Sequence, residues 1–195
     1  MKSIRDIYKI GKGPSSSHTM GPAKAMTIFA SEHPEAESFK VVLYGSLAKT
    51  GRGHGTDKAL ASVTKKTVEV VFDTEAENLP HENTLDIYAL SGGRSYAPMR
   101  VMSVGGGDIK IEGRESLTPE NVYPESSFAE ISQFCKREGI RLSDFVVMRE
   151  GEGIYDFLYT VWETMKASIH EGLTTSGILP GGLDVERKAQ YLYIL

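Results

Sequence analysis

Three strand-forming segments in the middle of the chain, Leu85 to Leu90, Ser95 to Val104 and Asp108 to Glu112, are joined only by short glycine links. Gly92-Gly93 separates the first two as a hairpin turn would, and Gly105-Gly106-Gly107 interrupts the second and third. Gly105-Gly106-Gly107 reads as a bulge or a turn. Upstream, Phe39 to Leu47 (FKVVLYGSL) is rich in β-formers and reads as a buried strand. It lies between two helical patterns, about Pro22 to Ser31 and Lys58 to Thr67. The first carries Pro22 in its opening turn and stops at His33-Pro34; the second has Thr56 or Asp57 as its cap. The order α-β-α-β-β-β predicts an α+β sandwich: a mixed or antiparallel sheet with helices on one face.

A helical segment is expected to follow. Ser116 to Glu125, with Pro119 and Pro124, is turn-like. Ser127 to Glu138, Leu142 to Glu150 and Ile154 to Glu171 have helical spacing, and the stripe Ile154, Phe157, Leu158, Val161, Trp162, Met165 and Ile169 reads as packing surface. Gly172 to Val185 is loop-like, and Glu186 to Leu195 resumes a helical pattern that stops on Tyr-Ile-Leu. An uncapped apolar ending points to continuation of the chain or to a packing partner, against the plainer reading of a docked terminal helix. Ser3 to Ile10 reads as a short anchoring helix.

The 195 residues carry a formal net charge of −4 with no Lys/Arg block, which argues against nucleic acid as a partner. No apolar run approaches a membrane span and no signal peptide opens the chain, so a cytoplasmic location is expected. The one cysteine, Cys135, excludes an internal disulfide and cannot by itself hold zinc or an iron–sulfur centre. No metal ligand is therefore expected in this chain, and Cys135 reads as a small half-buried side chain.

Chemistry concentrates in loops. Gly13-Pro14-Ser15-Ser16-Ser17-His18-Thr19 crowds hydroxyls and an imidazole ahead of a helix. Such a loop offers hydroxyl donors, free backbone N–H groups and the positive end of a helix dipole to a small carboxylate or phosphate. A histidine adds a group that moves protons near neutral pH. One serine or threonine would suffice as a cap; four and a histidine favour a site. Gly51-Arg52-Gly53-His54-Gly55-Thr56-Asp57 reads as a second glycine-rich loop, like a phosphate cradle but without the Gly-Lys-Ser/Thr ending of a P-loop. A helix-capping turn histidine is the competing reading. In an extended His81-Glu82-Asn83, the outer two side chains would face one ligand together. His33 reads as solvated, and His170, beside Glu171 at the C-terminal end of the long helix, as a structural histidine.

Gly13 to Thr19 with Gly21-Pro22, Tyr44-Gly45-Ser46-Leu47, Gly51 to Asp57, Pro80-His81-Glu82-Asn83 and Ser103-Val104-Gly105-Gly106-Gly107 occur in one order. In that order and spacing they resemble the β domain of the iron–sulfur-dependent bacterial L-serine dehydratases, the L-serine ammonia-lyases. The single-chain type is the better match. The resemblance covers about the first two thirds of the chain. Gly177-Ile178-Leu179-Pro180-Gly181-Gly182-Leu183 resembles the junction into that family's α domain. It implies a β domain over residues 1–150, similar to the allosteric substrate-binding domain of some D-3-phosphoglycerate dehydrogenases. Residues 151–195 would be a helical linker and the start of a truncated α domain.

The implied reaction is L-serine to pyruvate and ammonia, a step of serine catabolism and gluconeogenesis. A [4Fe–4S] cluster of the α domain acts as Lewis acid on the substrate hydroxyl in that family. Its cysteine ligands have no match here, so this chain alone is expected to be inactive. The resemblance makes His54 and His18 the catalytic candidates. Ser15, Ser16, Ser17, Thr19, His81 and Asn83 are the substrate-binding candidates, with L-serine, the α domain and a second copy in a homodimer as partners. Two other classes stay open: a serine- or small-anion-binding regulatory module without catalysis, and an assembly domain whose loops only build a dimer.

Overall fold

The computed structural model describes residues 1–115, 121–179 and 184–194. The expectations for Pro119 and for the Pro180 to Leu183 part of the junction lie outside the described residues. The chain divides into two compact units, Gly11–Ser116 with Gly177–Glu186, and Met1–Ile10 with Leu117–Ser176 and Arg187–Leu195.

The first unit is α+β. Its helices are α2 (Met20–Glu32), α3 (Gly45–His54) and α4 (Thr56–Ala61); α1 (Ile4–Ile7) belongs to the other unit. Its strands are β1 (Ser38–Tyr44), β2 (Thr67–Asp73), β3 (Thr84–Ser91), β4 (Arg94–Ser95), β5 (Met99–Gly105) and β6 (Asp108–Ile111). They form one six-stranded sheet in the order β2-β1-β3-β5-β6, with β4 paired to β3. Only β1 and β2 run parallel; the other pairs are antiparallel. The sheet is mixed, as expected.

Register shows how the period of two builds the core. Leu43 pairs with Leu85 and Leu85 with Val101, while Val41 pairs with Ile87 and Ile87 with Met99. These side chains share one face with Phe39 and Ala89, and Ala25, Met26, Phe29, Leu47, Ala48 and Leu60 of the three helices close over it. Each such side chain contributes about 1.5–3 kcal/mol on burial. The alternate face carries Tyr44, Asp86 and Arg100. Asp86 is 2% exposed there and is compensated. Arg100 donates to it through two nitrogens at 2.8 and 2.7 Å, and the Tyr44 hydroxyl donates at 3.0 Å.

Three expectations change. The helix expected from Lys58 to Thr67 is only α4, and residues 67–73 form β2, which the sequence reading lacked. The strand expected to Leu47 ends at Tyr44, and residues 45–54, including the supposed loop Gly51 to His54, are α3. The strand expected from Ser95 to Val104 is broken into β4 and β5. The glycine links behave as expected. Gly92 and Gly93 take φ of 55° and 74° in the β3–β4 turn, and a bulge between Ser103 and Gly105 precedes the β5–β6 turn.

The second unit contains α1, α5 (Phe128–Glu138), α6 (Leu142–Glu150), α7 (Ile154–Thr174) and α8 (Ala189–Ile194). Ser127 caps α5 by accepting from the Glu130 N–H, and Gly139 ends it at φ 65°. Tyr123, Ile131 and Phe145 form a small core with Ile4, Phe134 and the half-buried Cys135 against them. Glu150 ties the unit together, accepting from Ser3 Oγ at 2.6 Å, Ile4 N–H at 2.7 Å and Tyr123 OH at 2.7 Å. Helix α7 runs on to Thr174, past the expected end at Glu171, and His170 is exposed near its C-terminal end. Its stripe packs only in part: Ile154 and Val161 are buried and Phe157 and Leu158 half-buried, while Trp162, Met165 and Ile169 are about half exposed. No helix among the described residues is long and apolar enough to cross a membrane.

Candidate functional site

The Ser-rich loop winds into α2 through its own carbonyls. Ser15 C=O accepts from the His18 and Thr19 N–H groups at 3.1 and 3.0 Å, and Ser16 C=O accepts from Gly21 N–H at 3.0 Å. The Thr19 hydroxyl lies 2.6 and 2.8 Å from the carbonyls of Lys12 and Ser15 and makes no side-chain cap on α2. Thr19 therefore fastens the loop rather than capping the helix. Gly21 brings α2 close to the sheet: a Cβ there would stand 2.1 Å from Ser103 Oγ.

His18 is the hub. It is 7% exposed, and both ring nitrogens have hydroxyl neighbours. Nδ1 lies 3.1 Å from Ser15 Oγ and 3.1 Å from Ser17 Oγ. Nε2 lies 2.9 Å from Thr50 Oγ1 and 3.2 Å from Ser46 Oγ. The His54 ring sits 4.5 Å from the His18 ring, with its planes tilted by 40°. Burial first, and the neighbouring His54 charge second, hold the His18 imidazole below its ordinary 6.5, against a smaller upward push from the Ser46 backbone. Both lowering effects favour the neutral ring.

His54 occupies the last position of α3, before Gly55 at φ 72°. Its Nδ1 lies 2.9 Å from the Thr50 carbonyl. A carbonyl only accepts, so Nδ1 carries the hydrogen and Nε2 keeps the lone pair in the neutral ring. Beside His54 opens a cleft of about 270 Å³ lined by Lys12, Thr19, Arg52 and Lys58 among others. Three cations around a cleft favour a small carboxylate.

His81 and Asn83 are arranged otherwise than expected. Residues 81–83 form a turn, and His81 Nδ1 accepts from the Asn83 N–H at 3.0 Å, so the two do not face one ligand from an extended strand. Asn83 Nδ2 donates to the Ser103 carbonyl at 3.4 Å, while Asn83 Oδ1 and Ser103 Oγ are buried with no protein partner. This turn joins the histidine pair at one remove: Glu82 C=O accepts from the Ser46 N–H at 2.8 Å. Gly45, at φ 52°, permits that approach, since a Cβ there would meet Glu82 O at 2.4 Å.

The structure thus brings Ser15, Ser17, His18 and His54 together. Thr19 fastens their loop, Ser16 takes part through its carbonyl, and His81 and Asn83 lie behind the start of α3. His33 is half-buried rather than solvated, 4.4 Å from the Phe29 ring and 5.7 Å from Tyr96. Ser46 and Thr50 were missed by the sequence reading. Their signal was the spacing Ser46, Thr50, His54, four residues apart along one helix face, legible only if residues 45–54 are read as a helix. Among the described residues no group of three or more His, Cys, Asp and Glu could hold a metal ion.

Residues 3–64 match the model of the family described as serine dehydratase beta chain. The chain is 35% identical to L-serine dehydratase 2 of Escherichia coli (strain K12), over 243 residues that take in 98% of this chain and 53% of the relative. It is 34% identical to the L-serine dehydratase of Haemophilus influenzae, over 246 residues covering 99% of this chain and 54% of that one. The L-serine dehydratase of Streptomyces coelicolor is 30% identical over 241 residues, with 96% and 53% covered. The chain spans about half the length of the curated relatives it matches. Both the matched family and the relatives point one way: the chain is similar to the β-chain part of the L-serine dehydratases.

Proposed function

We propose that this chain is the substrate-handling and proton-handling part of an L-serine ammonia-lyase, acting with an α domain on L-serine. The observation that carries the reading is the His18–His54 pair, 4.5 Å apart beside a cationic cleft, in a chain similar to this family. Serine loses its α-proton and its β-hydroxyl as water; the resulting aminoacrylate takes up water and releases ammonia, leaving pyruvate. Removal of the weakly acidic α-proton needs a base, and His54 Nε2 has the free lone pair for it. His18, neutral and held by hydroxyls, would hold or pass a proton beside it. The hydroxyls of Ser15 to Ser17 and Thr19, together with the cations, suit the serine carboxylate, with His81 and Asn83 as a second serine-binding element.

A [4Fe–4S] cluster supplies Lewis acidity at the substrate hydroxyl when bound. The described residues of this chain do not fit it: one cysteine and no metal-holding group among them leave that part to the α domain. The reading also includes a homodimer, which sedimentation of the full chain checks.

The test pairs this chain with a matched α domain under anaerobic iron–sulfur reconstitution. Pyruvate formation from L-serine is expected, with a loss of at least about 100-fold in His54→Ala. No activity with a cluster-loaded α domain would overturn the reading. The cationic cleft also favours a plain serine-binding module; calorimetry with L-serine that shows binding, without any turnover in the reconstituted pair, would select it.

A further inference from the structure

We propose that Thr50 is a positioning residue that gives the two site histidines opposite tautomers. The inference rests on the ammonia-lyase reading for its catalytic consequence, but its geometry is independent of it. Thr50 Oγ1 has one hydrogen and two close neighbours, the Ser46 carbonyl at 2.9 Å and His18 Nε2 at 2.9 Å. The carbonyl can only accept, so the hydroxyl donates to it, as threonine does to the residue four earlier in a helix. Its lone pair then faces His18 Nε2, which must carry the hydrogen. His18 Nδ1 is left as the acceptor, and the hydroxyls of Ser15 and Ser17, both 3.1 Å away, can donate to it.

The same residue acts on the second ring through its backbone. Thr50 C=O accepts from His54 Nδ1 at 2.9 Å, which leaves the lone pair on His54 Nε2. One helical residue therefore fixes His18 as the Nε2–H form and His54 as the Nδ1–H form. A second hydroxyl, Ser46 Oγ at 3.2 Å from His18 Nε2, supports but does not replace it, being the more distant partner. Neither glycine nor valine at position 50 could do the first task, while any residue with a carbonyl in α3 could do the second. The two effects are separable by mutation.

In the reaction, the Cα–H bond of serine breaks and its proton passes to the Nε2 lone pair of His54. Its electron pair forms the Cα=Cβ bond as the Cβ–O bond breaks and the hydroxyl leaves, taking up a proton as water. The positive charge that forms on His54 is shared through Nδ1–H with the Thr50 carbonyl. The neutral His18 ring, 4.5 Å away, adds no opposing charge.

Long-range ¹H–¹⁵N correlation spectra of the full chain, labelled on histidine, read both tautomers directly above neutral pH. The wild type is expected to show His18 as Nε2–H and His54 as Nδ1–H. Thr50→Val should turn His18 into a mixture while His54 stays Nδ1–H, and Thr50→Ser should restore the wild-type pattern. His18 found as Nδ1–H in the wild type overturns the proposal without need of any variant, as does an unchanged His18 in a folded Thr50→Val. In the enzyme reconstituted with an α domain, kcat should fall about tenfold or more in Thr50→Val with KM little changed, and recover in Thr50→Ser. Expected tautomers without lyase activity would sink the ammonia-lyase reading and leave the assignment standing. Full activity with a scrambled His18 would sink the positioning role alone.

Discussion

At residue 21 a hydrogen atom replaces a side chain for a packing reason. A Cβ there would lie 2.1 Å from Ser103 Oγ and 3.0 Å from its Cβ, and Ser103 is fully buried. Gly21→Ala is expected to destabilise the chain by about 1–3 kcal/mol in urea titration, because neither the helix nor the strand can yield. Gly21→Ala with Ser103→Ala should recover part of the loss; equal stability of the single variant and the wild type would refute the close approach. His18 gives a pH prediction with a definite sign. Its folded value lies below 6.5, so the unfolded chain binds more protons in between. The stability it contributes is present above pH 6.5 and is lost as pH falls toward the folded value. His18→Gln should flatten that part of the stability–pH curve, and an unchanged slope would contradict it. The residue types of this site were legible in the sequence: a histidine among three serines and a threonine is hard to read as a cap alone. Their partners were not, because Ser46 and Thr50 reach His18 across 28 and 32 residues.

Elements decided what those residues do. Strands β1, β3 and β5 were legible because alternation and paired glycines are local signals. Helix α3 was not, because Gly51 and Gly53 are poor helix formers. Tertiary contact overrides them: Leu47, Ala48 and Gly51 are buried, and a Cβ at Gly51 would stand 3.3 Å from the Phe72 ring. Strand β2 was missed for a related reason, since it is a strand only through its parallel pairing with β1. On the alternate sheet face, Asp86→Ala should cost about 3 kcal/mol, because Arg100 and Tyr44 lose their shared partner. Burial first and Asp86 second push the Tyr44 phenol up to about 12. In Asp86→Asn it should titrate lower but still above 10.0, since burial remains; ultraviolet titration checks this. In the helical unit, burial pushes Glu150 up, yet the donors Ser3, Ile4 and Tyr123 together hold its carboxyl below 4.5. Its contribution is present above pH 4.5 and lost as pH falls through the lower folded value. Glu150→Ala should speed exchange of the Ile4 amide, measured by hydrogen exchange, and unchanged protection would refute the tie.

At the scale of the whole molecule, the chain is two compact units with separate cores. Helix α7 leaves Tyr155, Tyr159, Trp162, Met165 and Ile169 exposed. Trp162→Glu should therefore change the stability of the folded chain by no more than about 0.5 kcal/mol, measured by thermal unfolding. A larger loss would mean that the face is covered in the free chain. By itself the sequence determined the class of the fold, the hairpins, the helical C-terminal region and the family resemblance, because alternation, glycine punctuation and ordered motifs are properties of neighbouring residues. Only the tertiary structure decided that residues 45–54 are a helix, that β2 completes the sheet, and that His18 and His54 meet over Thr50. Those outcomes depend on which distant surfaces pack together, and hydrogen-bond partners, tautomers and burial exist only after that packing.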